Sequence, residues 1–158
     1  MRIETPDAVT QEILISGFKH IAEEMAVVEY RSSYSPIIRE MLDFNCGIFA
    51  ADGRAIANSE QIPAQLGLMQ FALEAVIAKW TGRIEPDDAF ITNHPYMGGT
   101  HTPDLQVFIP CFSGGELVAW SGSIAHHIDI GAATPGLIID VPDVYAEGML
   151  FAGTKLYR

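Results

Sequence analysis

Two adjacent glycines, Gly114-Gly115, constrain this chain's geometry more than any other feature. They follow Ser113 and separate the runs LQVFIPCF and ELVAWSGSIA, both rich in the apolar and aromatic residues that favour strands. Glycine reaches positive φ without steric cost, so the pair reads as a tight hairpin turn and pairing runs back along both strands. A two-residue turn sets Asp104 opposite Ala125 and Pro103 opposite His126. One end of the hairpin therefore gathers His101, Asp104, His126 and His127.

Which histidine meets Asp104 depends on register, because a slip of one residue carries a side chain to the other face of the sheet. A two-residue turn puts His127 on the face of Asp104, and a three-residue loop puts His126 there. The sequence leaves both open.

The remaining elements follow from local signals. Thr5-Pro6-Asp7 caps a helix in which Val9, Ile13, Phe18, Ile21, Met25 and Val28 recur at helical spacing, predicting one face packed on the core. YRSSYSP ends that helix and a short turn follows in IIREML. Asp52-Gly53 predicts a type I′ hairpin turn, QIPAQLG a loop, LMQFALEAVIAKW a second helix closed by Gly82, and DDAFIT a strand. The expected fold is α+β, a mainly antiparallel sheet with two principal helices, in a single domain over residues 1–158.

Composition excludes several functions. With 49% apolar and 18% charged residues the chain lies far from disordered sequences. A formal charge of −11 repels phosphate backbones and anionic lipid, so neither nucleic acid nor membrane is expected as a partner. Cys46 and Cys111 are far apart and form no CxxC, which gives neither a disulfide framework nor a thiolate zinc knot. No apolar run reaches 18 residues and no signal-like N-terminus is present, so the expectation is a soluble, cytoplasmic chain.

Imidazole nitrogen and carboxylate oxygen together suit borderline divalent ions such as Zn, Mn, Fe or Co, which polarise a carbonyl or acidify a bound water. The plainer reading of the same residues is a strand end with one buried, hydrogen-bonded histidine and one exposed. Gly98-Gly99 belongs to neither GxxxxGK[ST] nor GxGxxG, so it reads as a backbone turn rather than a phosphate cradle. Tyr96 and Trp120 read as core before pocket lining. Glu40 and Asp43 flank a turn as secondary acid–base candidates, and His20 reads as a helix residue without chemistry. Ser32, Ser33 and Ser35 lack GxSxG, which argues against a serine hydrolase.

The blocks SPIIREMLDFNCGIFAADGRAIANSEQIPAQLGLM, TNHPYMGGTHTPDLQVFIPCFSGGELVAWSGSIAHHIDIGAATPG and YAEGMLFAGTKL, in that order, resemble the hydantoinase B family, which includes the acetone carboxylase alpha subunit and part of 5-oxoprolinase. The resemblance implies the N-terminal portion of a larger metal-bearing subunit, working beside an ATP-using hydantoinase A type subunit and the remaining portion of the B-type subunit. It implies amide-ring hydrolysis or, alternatively, ketone carboxylation, on a small cyclic amide or ketone. It places a divalent metal ion (Mn, Zn or Fe) on His101, Asp104 and His126, with His127, Asp129 and His94 in supporting catalytic positions, and so favours the three-residue loop. ATP is expected on the partner subunit. Two positions depart from the family's usual blocks: His94 stands where NDPY has aspartate, and Gln65 where IPxHLG has histidine. Those departures favour the rival reading, a noncatalytic assembly module. On either reading an uncovered apolar surface is expected where the rest of the assembly sits.

Overall fold

The computed structural model describes residues 6–134, 136 and 140–157. Its strands are β1 (Phe44–Ala50), β2 (Ala55–Asn58), β3 (Ala89–Thr92), β4 (Asp104–Ser113), β5 (Glu116–His126) and β6 (Thr154–Tyr157). They form one six-stranded sheet in the order β2-β1-β5-β4-β3-β6, and every neighbouring pair is antiparallel. The helices are α1 (Ala8–Ser32), α2 (Pro36–Arg39), α3 (Pro63–Leu66) and α4 (Leu68–Trp80). The expected α+β class is therefore observed, with β6 as a strand the sequence reading did not anticipate.

The central hairpin combines both registers considered above. Gly114 and Gly115 have φ of 59° and 85°, the two positive values of a type I′ turn, and Ser113 pairs with Glu116. The ladder then slips: Phe112 pairs with Leu117 but Cys111 with Ala119, so Val118 is an extra residue on β5. From there Asp104 lies opposite His126. The turn has two residues, yet the bulge gives the pairing assigned to a three-residue loop.

Alternation along the strands sends Phe49, Phe90, Phe108, Trp120 and Ile124 to one face, where Met69, Ala72, Leu73 and Val76 of α4 meet them in a fully buried core. Each such large side chain contributes about 1.5–3 kcal/mol relative to leaving it in water. The Trp120 indole donates to the Ala51 carbonyl at 3.3 Å, so its polar edge is satisfied and the core reading of this residue holds.

Three local expectations are corrected. In α1 the buried residues are Ala22 and Ala26, while Val9 and Ile13 are 69% and 65% exposed. Residues 8–17 are exposed throughout, so only the second half of α1 lies on the sheet, and of the spaced apolar stripe Met25 packs against the core cluster there while Val9, Ile13, Ile21 and Val28 stay exposed. The turn before β2 is not type I′: Gly53 alone has positive φ (93°), and Gly53 N–H donates to Ala50 O as in a type I turn closed by a glycine bulge. QIPAQLG is a short helix rather than a loop, because Pro63 supplies a preset φ at its first turn. Among the described residues no helix is long and apolar enough to cross a membrane.

Candidate metal centre

The sheet itself positions two of the candidate ligands. Asp104 opens β4, His126 closes β5, and the ladder sets them directly across from each other, both buried. His101 comes from the loop before β4, where the Asp104 N–H donates to the His101 carbonyl at 3.1 Å and bends the chain back. That loop starts at Gly98, whose φ of 84° and close approach to α4 require glycine: a Cβ there would lie 2.3 Å from the Ala72 nitrogen. Gly98-Gly99 is thus a turn packed on a helix, as its sequence implied.

His101 Nε2 lies 3.1 Å from His126 Nδ1, which lies 3.1 Å from Asp104 Oδ1. His101 Nδ1 is 3.2 Å from Asp104 Oδ2. One donor atom from each of the three residues falls within 4.8 Å of the others. Asp43, just before β1, adds a carboxylate with Oδ2 at 3.9 Å from His126 Nδ1. His101 Nε2, Asp104 Oδ1 and Asp43 Oδ2 thus face one ring nitrogen, which has at most one hydrogen to give. Protons can bridge such pairs one at a time, whereas a divalent cation engages all of them together. Ligands held about 2.0–2.1 Å from a tetrahedral zinc lie about 3.3 Å apart, and His126 Nδ1 meets that spacing to His101 Nε2 and to Asp104 Oδ1, both at 3.1 Å.

Electrostatics favour the same use. Burial opposes ionisation of Asp104, but hydrogen bonds from His101, His126 and Thr100 outweigh it and hold the carboxyl well below the usual carboxylate range. The Asp104 hydrogen bond raises the His101 pKa, more than partial burial lowers it, so a cation bound there displaces a proton from this ring. Gln65, buried, donates Nε2 to Asp43 Oδ1 at 2.8 Å and accepts from Asn45 Nδ2 at 3.1 Å. It fixes the Asp43 carboxylate from behind.

The other sequence candidates are not among the three converging ligands. His127 is exposed, and its backbone N–H donates to Pro103 O at 2.9 Å. Burial of part of its ring and the neighbouring His126 lower its pKa. The Asp129 carboxylate accepts from Gly131 N–H at 2.8 Å, and His94 Nδ1 accepts from Tyr96 N–H at 3.3 Å, so each shapes its own turn. Tyr96 is 88% exposed, so it is not a core residue. Glu40 caps α2, and exposed His20 pairs with Glu24 at 3.3 Å. Thr100, Thr102 and Glu147 were not anticipated. Only fold contacts bring Glu147 near, through a hydrogen bond to Thr102 across 45 positions, so no local pattern marks it.

The sequence profile of the hydantoinase B/oxoprolinase family matches residues 7–158. A 5-oxoprolinase of Saccharomyces cerevisiae is 41% identical over 142 residues, which are 86% of this chain and 11% of that protein. The crystal structure of the ATP-dependent caprolactamase of Pseudomonas jessenii aligns with a TM-score of 0.89 at 27% identity, covering 98% of this chain and 27% of the other. Nucleotide-free acetone carboxylase shares the fold, with a TM-score of 0.85 at 22% identity over 96% of this chain and 20% of the other. Against the first curated relatives it matches, the chain spans 11% to 27% of their length.

Proposed function

This chain belongs to the hydantoinase B/oxoprolinase family, and from that premise we propose that it is the metal-bearing catalytic portion of an ATP-dependent enzyme hydrolysing the C–N bond of a cyclic amide. The observation carrying the reading is the convergence of His101, Asp104 and His126 donor atoms within 4.8 Å. A lactam is the substrate class because the relatives named above for 5-oxoproline and caprolactam share a ring amide. Residues 1–158 act as one domain, the N-terminal portion of a B-type subunit; the remaining portion and an A-type subunit, which binds ATP, complete the enzyme.

His101, Asp104 and His126 would hold a zinc, manganese or iron ion, which supplies Lewis-acid polarisation of a carbonyl and a more acidic bound water. Asp104 serves as the ionised ligand, since its hydrogen bonds keep it deprotonated. His126 is oriented by the strand ladder, and Asp43 adds an oxygen donor braced by Gln65. His127, whose lowered pKa leaves a neutral imidazole available at neutral pH, accepts a proton at the rim. Asp129 and His94 hold the two turns that border the cluster.

Metal analysis of the purified chain and of His101→Ala tests the assignment. The expected result is about one equivalent in the parent and a large loss in the variant; equal contents reject it. The second reading, a noncatalytic assembly module, draws on Gln65, whose carboxamide braces Asp43 but cannot exchange a proton as an imidazole does. Reconstitution with the remaining B-type portion, an A-type subunit, ATP and either hydantoin, 5-oxoproline or acetone separates them. Complex formation without turnover of any of the three favours the module.

A further inference from the structure

His101 differs from the other two candidate ligands in how it is held. Asp104 and His126 are buried on paired strands, whereas the His101 side chain is 47% exposed on a loop. Its neighbour Thr102 is fully buried and tied at both polar ends. The Thr102 carbonyl accepts from Asn93 Nδ2 at 2.7 Å, and its hydroxyl donates to a Glu147 carboxylate oxygen.

Glu147 is itself fixed. Asp143 caps its turn through the N–H groups of Tyr145 and Ala146 at 2.9 and 3.1 Å. Gly148 follows at φ 126°, pressed so closely on Ile130 that a Cβ would lie 2.6 Å from the Ile130 carbonyl oxygen. Met149 N–H donates to that carbonyl at 2.9 Å. Asn93 then binds Met149 O at 2.9 Å and Phe151 N–H at 2.7 Å, so one side chain joins the Glu147 segment to the His101 loop.

We infer that Glu147 is a positioning residue of the metal centre: by anchoring Thr102 it sets the orientation from which His101 reaches His126 and Asp104. The inference rests on the metal reading above. A hydroxyl that donates to a fixed carboxylate holds the backbone on either side of it, and the neighbouring residue is the one ligand lacking a strand to hold it. Outer partners of this kind typically change metal affinity by about 10–100-fold when removed.

The test uses the whole chain with Co(II) as probe, whose visible spectrum reports ligand geometry. Relative to the parent, Glu147→Ala and Thr102→Val each weaken Co(II) binding by about 10-fold and alter the spectrum. The double variant is no weaker than either single one, because both remove the same link. Glu147→Gln, which keeps an acceptor oxygen for the hydroxyl, stays within about 3-fold of the parent. A metal-free arm reads the same geometry: the His101 and His126 rings, with centroids 4.9 Å apart, give an inter-ring nuclear Overhauser effect that Glu147→Ala and Thr102→Val abolish. Circular dichroism confirms that each variant is folded, and Thr102→Val, nearly isosteric, covers a failure of Glu147→Ala to fold. If the inter-ring signal persists in a folded variant, or if Co(II) affinity and spectrum are those of the parent, the inference is overturned. If the parent itself binds no Co(II) while the variants lose the inter-ring signal, the metal reading fails and the positioning role stands.

Discussion

Toward α4 the sheet completely buries Phe49, Phe90, Phe108, Trp120 and Ile124 beneath Met69, Ala72, Leu73 and Val76, whereas toward α1 its cluster is Ala26, Ile38, Phe44, Cys46 and Ala125. The second face opens beside α1 into a groove of about 550 Å³, lined among others by Met25, Val28, Glu29 and Cys46. A closed apolar core admits no unpaired charge, while a half-closed one tolerates a carboxyl and a thiol. The candidate ligands follow the same division. Asp104 and His126 have the strand parity of Phe108 and Trp120, so they are mounted on the closed side, where side-chain rotamers are locked by packing.

The largest expected effect breaks this comparison if the faces are equivalent. Phe108→Ala removes a fully buried ring that packs edge-on against Phe49 at 6.1 Å between centroids. The loss should be about 3–5 kcal/mol, because the transfer term and the cavity term add. Met25→Ala, on the α1 side, removes a partly exposed chain whose site opens on the groove, and should cost less than about 1.5 kcal/mol. Urea unfolding of both variants measures the difference; equal losses mean that the α1 face is as tightly packed as the other.

The next effect depends on pH. Burial beside α1 raises the Glu29 pKa to about 7, against the smaller opposing influence of the Cys46 thiol, which donates to Glu29 at 3.2 Å. Burial and the Glu29 charge in turn push the Cys46 thiol far up, so it stays protonated. A carboxyl that holds its proton more tightly when folded makes the folded chain bind more protons between its ordinary pKa of 4.5 and about 7. Its contribution to stability is therefore fully present below pH 4.5, declines as pH rises, and is gone above about 7. The total change is about 3.5 kcal/mol at most, from about 1.4 kcal/mol per pH unit over the shift from 4.5 to about 7. Glu29→Gln stays neutral, so the stability difference between variant and parent should grow in the variant's favour across that window. A difference that is flat with pH would show Glu29 to be solvated like any surface carboxylate.

Much of this division is legible in the sequence, and the exceptions have physical causes. Gly114-Gly115 announces the hairpin and LMQFALEAVIAKW the helix over it, since turn chemistry and a long apolar segment act locally. The pairing of Asp104 with His126 was not fixed by local signals, because a bulge at Val118 undoes the register that the turn alone dictates, and only the resemblance of the GGTHTPD and AHHIDIG blocks favoured it. Asp43 and Glu147 reach the cluster through tertiary contacts, which leave no periodic trace. The α1 stripe misleads for a different reason: helical spacing reports that an apolar face exists, not that this domain covers it.

That last point yields the smallest effect. Ile13 is 65% exposed on the half of α1 that extends off the sheet, so burial contributes nothing to its place in the isolated chain. Ile13→Ser should shift urea stability by less than about 0.5 kcal/mol, the range of surface changes away from caps and cores. Helix propensity is similar for the two residues, so the ellipticity of the folded chain should barely move. A loss approaching that of Met25→Ala would mean that the first half of α1 is covered in solution, which would extend the half-closed face along the whole helix and sharpen its contrast with the face that carries Asp104 and His126.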